Sequence, residues 1–72
     1  MDGHIDRMEE ELIQLGEREK SLTSFIFNNE KFDALGRREQ VLMIQQVGLM
    51  AQYCRILNER ISRARGYSGF RL

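Results

Sequence analysis

Twelve of the 17 residues from Val41 to Leu57 are apolar, and in a helix such a run coats most of the circumference rather than one side. One antiparallel partner helix covers a single stripe, so this helix needs cover from several directions. Leu42, Leu49, Tyr53, Ile56 and the later Ile61 are read as one face, and Ile44, Val47, Ala51 and Cys54 as a second. In a chain of 72 residues a single core supplies only about 3–5 kcal/mol, and small domains are normally stapled by disulfides, a metal or a partner. Cys54 is the sole cysteine and His4 the sole histidine, which excludes an internal disulfide and leaves no basis for a zinc site; no metal and no cofactor are expected. Self-association remains. A homo-oligomer is expected, a dimer or higher, a hexamer being one form, with this helix at its centre and Gly48 and Ala51 allowing close approach between axes.

The rest of the chain supplies a first helix and a turn. Ile5, Met8, Leu12, Leu15, Leu22 and Ile26 repeat at three and four residues, a heptad seam broken only by Glu19, and predict a helix over about 2–27. Asp2 or Asp6 suits its first turn, Glu9 to Glu11 suit its N-terminal half, and Gly16 weakens it by about 1 kcal/mol against Ala. The turn, 28–36, opens with Asn28 and Asn29; Asp33 is placed to cap a single turn, and Phe32 and Leu35 to tuck onto the helix ends. Gly36, with Glu39 three residues on, caps a second helix over about 37–65. Gly66 and Gly69 stop it, leaving a tail, 66–72, expected to be ordered by a neighbouring subunit or a crystal contact. The fold class is all-α: one domain, 1–72, an antiparallel two-helix hairpin with an ordered C-terminal tail, assembled as a homo-oligomeric helical bundle.

The acidic start, MDGHIDRMEEE, is unlike a signal peptide, and the longest charge-free stretch, Gln40 to Cys54, is too short for a bilayer and carries four glutamines. A cytosolic location without membrane attachment is expected.

Eleven basic and eleven acidic side chains cancel overall, but not by halves. Residues 1–35 hold nine acids and four bases, a balance of −5; residues 36–72 hold two acids and seven bases, a balance of +5. An antiparallel hairpin sets the acidic start beside the basic end, which simple charge complementarity explains. The alternative is an anion site, favoured by nine arginines against two lysines, since guanidinium binds phosphate in a bidentate fashion and stacks on aromatic planes. Arg37 and Arg38 stand at a helix start; Arg63, Arg65 and Arg71 surround Tyr67 and Phe70, groups that either stack a base or pack on neighbouring helices. Within one hairpin the two clusters lie about 40 Å apart. Pairing two hairpins antiparallel brings them together.

No catalytic set is apparent. His4 lacks a nucleophile and an orienting partner, Cys54 lies in an apolar run, and GxxxxGK, GxSxG, HExxH and CxxC are absent. The expectation is a protein that is not an enzyme. Glu19 specifies register, reaches solvent, or pairs with an arginine such as Arg55; Gln45, Gln46 and Gln52 line a pocket or layer in an interface.

The stretch from Leu22 to Ile61 resembles a family of short crAss-phage-related phage proteins. The resemblance runs through Leu22, Phe25, Ile26, Lys31, Phe32, Leu35, Glu39, Gln40, Leu42, Gln46, Met50, Tyr53, Ile56, Leu57, Arg60 and Ile61, and departs at Gly36, where Asp or Ser is usual, and beyond Ile61. It implies phage origin and expression in the host bacterial cytoplasm. Similar small helical phage proteins of the anti-CBASS type are oligomeric sponges that sequester nucleotide second messengers of host immunity. By that analogy the expected function is sequestration, without cleavage, of a cyclic oligonucleotide or a cyclic ADP-ribose type of signal, with Arg37, Arg38, Arg63, Arg65, Tyr67, Phe70 and Arg71 as binding residues. The alternative is a helical inhibitor or adaptor of a host protein. Nucleic-acid binding is disfavoured by the neutral balance and the acidic first helix.

Overall fold

The computed structural model describes residues 3–66, and these residues form three helices: α1 (Gly3–Asn28), α2 (Glu30–Asp33) and α3 (Arg37–Ala64). Residues 1–2 and 67–72, the latter all of the expected tail but Gly66, lie outside the described residues. The start of α1 packs against the end of α3, so the long helices form an antiparallel hairpin.

The heptad seam of α1 is the buried one. Met8 is buried with Leu57 and Ile61 of α3, and Leu12 and Leu15 pack against this cluster. Ile5, Glu19, Leu22 and Ile26 continue the seam half-buried. Along α3 the inward arc is Met43, Val47, Met50, Ala51, Cys54, Leu57 and Ile61. This corrects the expected division of faces. Ile61 does not share a side with Ile56: five residues turn a helix through about 500°, so it points roughly 140° away and into the core. Val47, Ala51 and Cys54 likewise face α1, and of that expected second face Ile44 alone is exposed.

The turn contains a helical turn of its own, capped by Asn29 rather than Asp33. Asn29 has extended backbone (φ −114°, ψ 119°), and its side-chain oxygen accepts from the Lys31 amide at 2.9 Å; Asp33 closes α2 instead. Phe32 is buried edge-to-face against Phe25, ring centres 6.3 Å apart, and Gln40 Nε2 donates to the Phe32 carbonyl at 2.8 Å, tying α2 to the start of α3. Gly36 is the N-cap of α3 and offers no side-chain acceptor. At the far end the Gly66 amide donates to the Arg63 carbonyl at 3.0 Å with φ 83°, the left-handed conformation that glycine adopts at low cost. No helix among the described residues is long and apolar enough to cross a membrane.

Candidate ligand-binding site

Leu42, Leu49, Tyr53 and Ile56 are exposed large apolar side chains of α3. Leu42 is 40% exposed, Leu49 66%, Tyr53 40% and Ile56 55%, and their spacing of seven, four and three residues places them on one continuous stripe. The hairpin fixes where this stripe lies relative to α1. The Tyr53 hydroxyl donates to the Glu11 carboxylate, which marks the flank of α1 that borders it. That hydrogen bond, reinforced by the negative charge of Glu11, raises the Tyr53 pKa above its ordinary value, since ionising the phenol loses the donor and adds a like charge.

A groove of about 620 Å³ runs between the helices on the same flank. Gln14, Arg18, Ser21 and Phe25 enter it from successive turns of α1, joined by Leu22, and α3 contributes Gln46 and Met50. Glu17 stands beside Arg18. The set holds one guanidinium for an anion, one aromatic ring for stacking, and amide and hydroxyl groups for hydrogen bonds. Phe25 is steadied by Phe32. The groove is a shallow wall rather than an enclosure.

The arginines singled out in the sequence are dispersed. Arg37 and Arg38 are exposed in the first turn of α3, and Arg63 is exposed in its last. A 28-residue helix holds them about 40 Å apart, so one chain does not unite them. Arg65 forms an ion pair with Glu9 across the hairpin, beside a second groove of about 410 Å³ on the opposite flank. Tyr67, Phe70 and Arg71 lie outside the described residues. Arg18 and Phe25 were not among the expected site residues, although Gln14, Arg18, Ser21 and Phe25 at i, i+4, i+7 and i+11 already trace a line down one flank of α1. Glu19 makes no ion pair with Arg55 among the described residues; it lies near Cys54, whose thiol pKa is raised by desolvation and then by that carboxylate. No group of three His, Cys, Asp or Glu side chains placed to hold a metal occurs among the described residues.

The sequence model of the Sequestin family matches residues 2–63. The chain belongs to the Sequestin family. The match takes in α1, α2 and nearly all of α3, so the outward stripe and the Arg18 groove both lie inside the Sequestin region. Arg37, Arg38 and Arg63 fall within it as well, whereas Arg65 and the tail residues Tyr67, Phe70 and Arg71 fall beyond it. The name of the family denotes sequestering of a molecule. No curated protein and no solved structure matches the chain.

Proposed function

We propose that this Sequestin is a phage-encoded anti-defence protein that binds a nucleotide second messenger of bacterial immunity, of the cyclic oligonucleotide or cyclic ADP-ribose type, and holds it without cleavage as a homo-oligomer in the host cytoplasm. The observation that carries the reading is the Sequestin match over residues 2–63, because sequestration needs a complementary surface and no reaction. The Arg18 groove supports a nucleotide over other small ligands: it pairs a phosphate-binding group with a stacking ring and base-edge donors and acceptors. Arg18 and Phe25 are the first candidates for phosphate and base. Arg37, Arg38 and Arg63 are exposed and stand second, reachable only where copies meet.

Calorimetry of the protein against a panel of cyclic dinucleotides, cyclic trinucleotides and cyclic ADP-ribose isomers tests this reading. The expected result is saturable binding of at least one member, with the ligand recovered intact after the protein is denatured by heat. No binding by any member, or recovery of a hydrolysed product, contradicts it.

A further inference from the structure

We infer that the outward face of α1, from Asp6 to Phe27, is a docking surface for a basic amphipathic helix of another protein. This stands apart from the sequestering reading, because the face lies beyond the Arg18 groove, toward the opposite flank of the hairpin.

The anchors are Ile13 and Phe27. They are 61% and 77% exposed, and their separation of two heptads brings both to one side of α1, about 21 Å apart. Hollows adjoin both. Ile13 borders the groove of about 410 Å³ that Leu12, Asn58 and Ile61 also line, and Phe27 borders one of about 600 Å³ formed by α1 alone, with Gly16, Lys20 and Thr23. Gly16 lies between the anchors. Glycine is disfavoured in a helix interior, and packing among the described residues does not call for it here, since a Cβ at this position meets nothing within 4 Å. A side chain at Gly16 would stand in the path of a helix laid from Ile13 to Phe27, and glycine clears it. Two apolar anchors at heptad spacing, with bare backbone between them, are the footprint of a helix whose side chains enter on successive turns.

The charges give the partner its sign. At about 100° per residue, Asp6, Glu10 and Glu17 lie within about 60° of Ile13 around the helix. All three are exposed, and none forms an ion pair among the described residues. Glu9, on the same side, is already paired with Arg65, and Lys20 offsets one of the three carboxylates. Around Phe27 the face carries Thr23, Ser24 and Asn28 instead. The surface is therefore acidic over one anchor and neutral over the other. Its complement is a helix with an apolar stripe and with arginine or lysine at one end. The same carboxylates repel a nucleic acid or an anionic membrane.

Fluorescence anisotropy tests this with a labelled helical peptide that carries leucines two heptads apart and arginines beside one of them, against the same peptide with glutamate for arginine. The arginine peptide is expected to bind saturably and about tenfold or more tightly than the glutamate peptide, with the difference shrinking as salt is added. Ile13→Ser and Phe27→Ser, at exposed positions, are each expected to weaken the arginine peptide about fivefold or more, whereas Ile44→Ser, on α3, leaves its affinity unchanged. Gly16→Gln separates docking from folding. It is expected to raise the melting temperature, as a better helix former, and yet to weaken the peptide about tenfold or more. Equal affinity for the two peptides, or parental affinity in Gly16→Gln, overturns the inference. A lower sedimentation mass for Ile13→Ser or Phe27→Ser than for the parent overturns it too, and assigns the face to a second copy.

Discussion

Leu57 is the one fully buried large side chain among the described residues, at 0% exposure where α1 and α3 meet near the open end of the hairpin. Truncating it removes both transfer free energy and packing, a loss of about 2–5 kcal/mol. Against roughly 3–5 kcal/mol available to a domain this small, Leu57→Ala is expected to abolish the cooperative transition in a urea melt; a midpoint close to that of the parent would show that the core lies elsewhere. Cys54 is a chemical probe of the same seam. Burial and the Glu19 carboxylate both disfavour its thiolate, so at neutral pH it is expected to react with a thiol reagent more slowly than free cysteine, with the rate rising only above the usual thiol range. Glu19→Gln should quicken the reaction modestly, because desolvation, the larger cause, remains. Equal rates for Cys54 and free cysteine would place the thiol outside the seam. Tyr53 titrates in the same sense: its contact with Glu11 persists below the ordinary tyrosine range and is lost as pH rises through the raised value, and Glu11→Gln should lower the pH at which the phenolate absorbs.

At the scale of elements, the two-helix hairpin was legible in the sequence because its helix ends rest on local chemistry. The turn chemistry at Asn29 and the glycine at Gly66 act through their own backbone preferences, beside the ends of α1 at Asn28 and of α3 at Ala64. Faces were harder. By sequence Ile61 groups with Leu42, Leu49, Tyr53 and Ile56 because apolar residues crowd every side of α3, and only the position of α1 decides which of them turn inward. The cap at Gly36 gives a clean element-scale test. Its φ of −63° and ψ of 153° suit any L residue, and a Cβ there meets nothing within 4 Å. Gly36→Ser adds a capping oxygen and removes freedom from the unfolded chain, so it is expected to stabilise by about 0.5–1 kcal/mol in chemical denaturation. A destabilised variant would mean that this junction is closed by something other than the hairpin.

At the scale of the whole molecule, the apolar circumference of α3 is a problem of area. A helix apolar over most of its surface has one arc against α1 and another, with Leu42, Leu49 and Ile56, left exposed among the described residues. The candidate site was less legible than the fold for the same reason. The sequence draws attention to clusters of arginine next to aromatics, but Arg65 is drawn into an ion pair with Glu9 across the hairpin. Arg18 and Phe25 share one flank of α1 by their spacing, and the hairpin sets them beside Gln46 and Met50 of α3. The proposal most open to test is that the working unit holds more than one chain. Light scattering coupled to gel filtration, at micromolar concentration and without ligand, tests it most directly: a mass of at least twice 8.5 kDa is expected, and a mass of 8.5 kDa would contradict it.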